Sequence, residues 1–543
     1  MNLKPVILII IIFKIQCCLA QTPNWQWAKS AGSVADESGL SITTDNAGNS
    51  YVTGYFYSPS IVFGTYTLTN NGNYDTFLVK YDANGNVLWA KSFGGIYDDV
   101  GYSITTDVSG NVILVGSFYS PSVAIASNTL INFGGGDIFI VKYDNSGNEL
   151  WVKQEGGIAG ENAKSVTTDL NGNIFFTGYF SSSTMFTGTY TLTNSGNEDF
   201  FIVKYDVMGN TIWAKSANGV GKQNGNSIKT DSFGNVCVTG FFNNSIAFNN
   251  YTLTTSSFSD VFVVKYDNSG NEIWAKSCGG NVIDIGYGIS TDNQGNVFVT
   301  GSYCSSTFNF GSSSLINASA DYDIFVLKYD QFGNELWAQS IGGLYEDTGL
   351  GIANDIFGNV IFTGHFHSPS VNFGTQILSN SGIGDGYVAM YNSSGNVLWA
   401  KSAGGLSDDG SASVSVNSAG EILVTGSYFS QVINFSSIGL SNAGSNDIFI
   451  AKIESIITDK EEYDVEINNL VLFPNPSSGH FNITGLIPVY SVLIYNQLGQ
   501  LVYFLENIQN PIIEFDICFL EKGIYSLVLK SDKTTNTSKL IIQ

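Results

Sequence analysis

The residues best suited to chemistry in this sequence are carboxylates, and they recur at fixed intervals. Glu37, Asp99, Glu161, Asp284, Asp347 and Asp409 stand at equivalent places in successive segments, and Gln223 fills the corresponding place in one more. Six acids gathered at one point could bind a cation such as Ca2+ or a polar ligand, or act in pairs on a glycosidic bond. The alternative is that each acid accepts hydrogen bonds from backbone NH groups of its own turn and ties neighbouring segments together. A second series, Asp75, Asp137, Asp199, Asp260, Asp323, Asp385 and Asp447, is Asp in all seven copies. Such uniformity points to architecture.

Histidine and cysteine offer little. The three histidines are His365, His367 and His480. His365 and His367 alternate on one strand and could present two metal ligands. Their context, TGHFHSPS, matches TGYFYSPS in an earlier segment, so plain replacement of Tyr55 and Tyr57 is the simpler reading. No Ser-His-Asp or Cys-His set has spacing support. Beyond residue 20 the cysteines are Cys237, Cys278, Cys304 and Cys518, with neither CxxC pairs nor metal-like spacing, though a disulfide among the first three stays open.

The elements that carry the acids are set by a repeat. Trp27, Trp89, Trp151, Trp213, Trp274, Trp337 and Trp399 fall 62, 62, 62, 61, 63 and 62 residues apart. A period held that closely signals a repeat architecture. Each unit contains four strand candidates, in the first LSITTD, SYVTGYF, DTFLVKYD and NVLWAKS, rich in β-branched and aromatic residues and bounded by Gly, Asn and Asp. Asp-x-x-Gly-Asn links join strands one and two and strands three and four, as hairpin turns without the alternating acids of a calcium loop. The link between strands two and three is longer and varies most. Apolar residues on both strand faces suit a sheet buried between two neighbours. Glycines inside strand two, from Gly54 to Gly426, imply close backbone approach.

These features predict an all-β chain with a seven-bladed β-propeller of four-stranded blades over residues 21–454. Residues 24–30 are a fourth strand without predecessors, and the last unit lacks its fourth, so the N-terminal strand is expected to close the ring. The units TTDNAGNSYVTGYF and DTFLVKYDANGN, with the Gly-Gly after WAKSF, resemble SBBP-type β-propeller repeats. That resemblance implies the fold and no particular activity.

The flanks differ. Residues 1–20 read as a signal peptide, with Lys4, an apolar run from Val6 to Phe13 and Cys18-Leu19-Ala20 before the cut; a lipid anchor at Cys17 is the rival. Residues 455–467 are a charged linker. Residues 468–543, with PNPSSG, IYNQLGQ and KGIYSLVLK, resemble a type IX secretion system sorting domain of type A. The expected form is a small Ig-like β-sandwich of about seven strands. The resemblance implies a Bacteroidota-type secreted or cell-surface protein that meets the type IX machinery through this domain.

Net charge narrows the partners. The chain carries 46 acidic and 22 basic side chains, a formal charge of −24. Nucleic acid is excluded as an expected partner, because its affinity rests on Lys and Arg neutralising phosphate. No transmembrane segment is expected in the mature chain. An extracellular glycan or protein ligand remains open. No single blade shows an inserted cluster of unique polar residues, which favours a non-enzymatic binding or adhesion module over a glycan-active enzyme using channel carboxylates. A structural surface component is the further alternative.

Overall fold

The computed structural model describes residues 22–454 except 256 and 318, and, beyond residue 470, 471–473, 475–484, 491–496, 501–506, 512–517, 520, 522–530 and 535–543. The expected signal peptide and linker lie outside these residues. The chain divides into two compact units, one ending at Ile456 and one beginning at Ile457. No helix among the described residues is long and apolar enough to cross a membrane.

The first unit is a ring of seven antiparallel four-stranded sheets. In blade one the strands are Glu37–Thr44, Ser50–Phe56, Asp75–Tyr81 and Val87–Phe93, paired in that order. Strand one of each blade packs against strand one of both neighbours, which makes it the innermost strand. Strand three is buried at nearly every residue in all seven copies, as the apolar pattern on both faces required. Blade seven takes Trp25–Ala31 as its outer strand, antiparallel to Asp447–Ile453 with Ala28 opposite Ala451. The ring is therefore closed by the N-terminal strand, which satisfies the backbone of two edges at once.

The long link between strands two and three is not a free loop. It folds into a two-stranded ribbon in every blade, Ser60–Phe63 with Tyr66–Thr69 in the first. Ile61 and Phe63 of this ribbon are buried in the blade core. Tyr66 Oη reaches over strand four to donate to Leu88 O at 2.6 Å.

Lysine and tryptophan explain the period itself. Trp89 Nε1 donates to Asn145 O, in the strand three–four turn of the next blade, at 3.2 Å, and Lys80 Nζ donates to the same carbonyl at 3.0 Å. The pattern repeats around the ring and crosses the closure, where Trp27 and Lys452 share Ala83 O. Blade six is the exception. Its clamp would need a turn in blade seven, where strands three and four come from distant parts of the chain and no turn joins them. There Met390 replaces the lysine, and the buried Trp399 Nε1 has no partner. An ammonium left there would be buried without its acceptor, so its loss has a physical reason.

The second unit has two sheets. Val471–Phe473, His480–Thr484 and Ile512–Asp516 form one; Leu501–Glu506, Ser491–Tyr495, Gly523–Lys530 and Thr535–Ile542 form the other. Phe481 and Phe515 from the first sheet share a core with Val492, Ile494, Leu527 and Leu540 from the second. Asn475 clamps the last strand, donating to Lys539 O at 2.7 Å and accepting from Ile541 N at 2.9 Å.

Candidate functional site

Glu37, Asp99, Glu161, Asp284, Asp347 and Asp409 each open strand one, and each is at most 1% exposed. Their oxygens are engaged by the chain's own donors. Asp347 accepts from His367 N at 3.1 Å, Ser368 N at 3.2 Å and Ser368 Oγ at 2.8 Å. Asp99 accepts from Gly95 N, Tyr119 N, Ser120 N and Ser120 Oγ at 2.7–3.2 Å. Glu37 and Glu161 reach the same donors with a longer arm, and Asp284 and Asp409 follow the aspartate pattern. The serine in turn accepts an NH from the loop entering the blade, as Tyr97 N does to Ser120 Oγ at 2.9 Å. Each acid thus ties the loop from the preceding blade to the end of strand two.

The exception follows the same logic. In blade four the pair becomes Gln223 with Asn244, and Asn244 adopts φ 58°. Asn244 Nδ2 donates to Val220 O at 3.2 Å, which replaces the loop contact that serine makes elsewhere. Burial raises the carboxyl pKa in this ring against those hydrogen bonds, to about 6 for Asp284 and Asp347 and about 7 for Glu161.

The second aspartate series sits behind the first. Asp75 Oδ2 accepts from Asn71 N at 2.9 Å while its Oδ1 is buried without a partner. A Cβ at Gly94 would overlap this carboxylate, and one at Gly95 would press on Ser120 Oγ at 2.7 Å. The recurring Gly-Gly is therefore the space needed by two polar side chains. Strand-two glycines have a separate cause. Strand one bulges between Gly39 and Ser41, and a Cβ at Gly54 would overlap Ser38 O opposite that bulge.

The turn acids behave as turn chemistry requires. Asp45 Oδ1 accepts from Ala47 N and Asn49 N, both at 2.9 Å. Cys237, Cys278 and Cys304 are free thiols, so the open disulfide alternative among them does not hold; Cys518 lies outside the described residues. Among the described residues no group of three or more His, Cys, Asp or Glu is arranged to hold a metal ion. His365 and His367 meet edge to face at 5.3 Å between ring centres. His367 Nε2 lies 3.1 Å from Asp408 Oδ1, and burial and the neighbouring His367 push the His365 pKa down to about 4.

The bulge reveals a set that reading for acids missed. Its extra residue is Leu40, Tyr102, Lys164, Asn226, Tyr287, Leu350 and Ala412 in blades one to seven. All seven are partly exposed. Strand two covers one edge of strand one and adjacent blades cover its faces, so solvent reaches these residues from the axis. The signal was present as the position three residues after each ring acid, where the repeat keeps no residue type. Lys164 Nζ stands 3.9 Å from the centre of the Tyr102 ring and 5.9 Å from that of Tyr179. Asn162 Nδ2 donates to Tyr119 Oη at 3.0 Å and Tyr179 Oη at 3.2 Å. Burial disfavours the Lys164 ammonium, and Glu198 only partly offsets that, leaving its pKa at about 8. On blade one Tyr55 and Tyr57 both pack on Tyr74, at 4.6 and 5.4 Å.

Residues 471–543 match the family model of the secretion system C-terminal sorting domain. The second unit is that sorting domain. It belongs to the type IX secretion system and directs the chain to the cell surface or the extracellular space. Within the sorting domain, the PNPSSG motif supplies the Asn475 clamp on the last strand. The chain is 25% identical over an alignment of 534 residues to an uncharacterized WD repeat-containing protein of Acanthamoeba polyphaga mimivirus, covering 79% of this chain and 38% of that protein. It is 30% identical over 177 residues to the regulatory protein FlaEY of Caulobacter vibrioides, covering 31% of this chain and 18% of that one. It thus spans less than two fifths of the length of either relative. Similar solved structures include the Neurospora crassa Pan2 WD40 domain, at 8% identity, 79% and 97% coverage and TM-score 0.38. PorZ, a surface component of the type IX secretion system of Porphyromonas gingivalis, matches at 11% identity, 94% and 70% coverage and TM-score 0.30. At such scores the propeller assignment rests on the strand pairing itself.

Proposed function

We propose that this chain is an exported, non-catalytic binding module that uses the axial mouth of its propeller, at the end where strand one begins. One observation carries the reading. Positions that build the ring keep their residue type or a close relative in nearly every blade, while the bulge residues facing the axis run Leu, Tyr, Lys, Asn, Tyr, Leu and Ala. A fixed scaffold with one varied, solvent-reached set is the arrangement recognition needs. The ring acids do not favour a glycan hydrolase, since Asp99 and Asp347 are occupied by backbone and serine donors. The deciding experiment is a saccharide and extracellular-protein array probed with the full chain, its Tyr102→Ala variant and its Tyr287→Ala variant. Saturable binding weakened tenfold or more by either variant supports the reading. Binding that neither variant alters moves the site elsewhere, and the absence of any binding favours a structural surface component.

A further inference from the structure

We infer that the partly exposed cluster of Tyr102, Lys164, Tyr179 and Tyr119, braced from beneath by Asn162, receives a sugar residue bearing a carboxylate, with Lys164 as its charge partner. The inference rests on the binding function proposed above and names the ligand of one sector of that mouth.

The first observation is the state of Lys164. Buried lysines on strand three meet carboxylates of their own blades: Lys142 with Asp107 at 2.9 Å, Lys265 with Asp231 at 2.8 Å, and Lys452 with Glu421 at 2.7 Å. Lys164 has no such pair among the described residues. Its ammonium rests on the Tyr102 ring, an attraction that an anion above it would leave in place. Glu198, the acid whose charge it feels, is itself bound by Lys222 at 2.7 Å. A positive charge is thus held at the axis, partly desolvated and without a carboxylate in ion-pair contact among the described residues, in a chain of formal charge −24.

The second observation is Asn162. Its Nδ2 is engaged by Tyr119 and Tyr179, while its Oδ1 is buried, with the residue 2% exposed, and lacks a partner. That oxygen is sealed from solvent, as is Asn224 Oδ1 at the equivalent place in the next blade, so Asn162 serves to fix the two phenol hydroxyls through its amide. The rings of Tyr102, Tyr119 and Tyr179 add flat apolar faces for the C–H side of a pyranose and hydroxyls for its rim. Carboxylate, hydroxyl and ring face are found together in an acidic sugar. A free inorganic anion would use Lys164 and leave the tyrosines idle.

The test is calorimetric titration of the full chain with oligogalacturonate, and with neutral cello-oligosaccharide as the comparison. The expected result is preferential binding of the acidic oligomer, weakened tenfold or more by Lys164→Met and restored to within a few-fold by Lys164→Arg. Binding should weaken with salt and as pH rises beyond about 8, where the amine loses its proton. Thermal melts of both variants exclude misfolding as the cause. Acidic oligomers bound equally well by Lys164→Met, or not bound at millimolar concentration, overturn the inference. If neutral oligomers bind instead and Tyr102→Ala abolishes that binding, the acidic-sugar assignment falls while the binding function stands. If no saccharide or protein binds, both fall.

Discussion

Replacing Asp347 by Asn separates the two forces acting on the ring acids. The carboxyl is fully buried, and burial lifts its pKa from 3.8 to about 6, against hydrogen bonds from Ser368, Gly343 and His367 that pull it down. Because the folded pKa lies above the unfolded one, the group's contribution is fully present below pH 3.8 and is lost as pH rises through 6. The difference corresponds to about 3 kcal/mol by pH 8. Asn keeps the shape and one acceptor oxygen but does not titrate. The stability of Asp347→Asn relative to wild type should therefore improve by about 2.5 kcal/mol between pH 4 and pH 8, read from urea unfolding followed by tryptophan fluorescence. Asp347→Ala strips the acceptor from His367 N, Ser368 N and Ser368 Oγ, and should cost about 3–5 kcal/mol at pH 4.5. A constant gap between wild type and Asp347→Asn across that pH range would refute the buried carboxyl. An Asp347→Ala variant within about 0.5 kcal/mol of wild type would refute its role as a tie between blades.

Three further outcomes are expected. Lys142→Met leaves Asp107 buried without its partner and should destabilise the chain by about 3 kcal/mol, whereas the reverse change Met390→Lys should also destabilise it, because blade seven offers no turn carbonyl; thermal melts of both variants check the clamp. Gly94→Ala forces a Cβ into the Asp75 carboxylate and should cost about 2–4 kcal/mol, a loss that Asp75→Ala in the same chain should partly relieve. For the whole propeller, burial raises Asp75 and Asp284 to about 6 and Asp323 and Glu161 to about 7, so the melting temperature should fall as pH rises from 5 to 8. On the acid side, burial opposes ionisation of Asp107 but hydrogen bonds from Lys142 and Asn111 outweigh it, so its contribution is present above pH 3.8 and is lost as pH falls through its lowered pKa. A melting temperature that climbs steadily from pH 5 to 8 would contradict this account.

The parts of the fold legible in the sequence were those enforced locally and seven times over. The tryptophan period, the Asp-x-x-Gly-Asn turns and the unmatched outer strand at residues 24–30 each rest on chain geometry or hydrogen bonds within a few residues, and repetition makes such signals additive. Gly54 was legible as a close approach, because a strand glycine has few other uses, though the object approached, the Ser38 carbonyl at the bulge, was not. The long two–three link read as variable loop because its ribbon strands are only three or four residues long, although the buried positions recur with the repeat, Ile61 as Val123, Met185, Ile246, Phe308, Val371 and Ile433.

Tertiary structure decided which of the repeated and unrepeated residues matter. Asp99 looks equally suited to ligand binding or to holding a turn until its four donors are located, and those donors lie up to 21 residues away in sequence. Met390 looks like a neutral change until the missing turn beside it is seen. Lys164 and Tyr102 stand 62 positions apart, and nothing in the linear pattern says that they touch. The bulge turns both toward the axis, and the packing of blade three on blade two brings their innermost strands close enough for an amine to rest on a phenol ring. Local backbone preferences are written residue by residue, but contacts between blades exist only once neighbouring blades have packed together, so the architecture could be read from the sequence and the residues that meet at the axis could not.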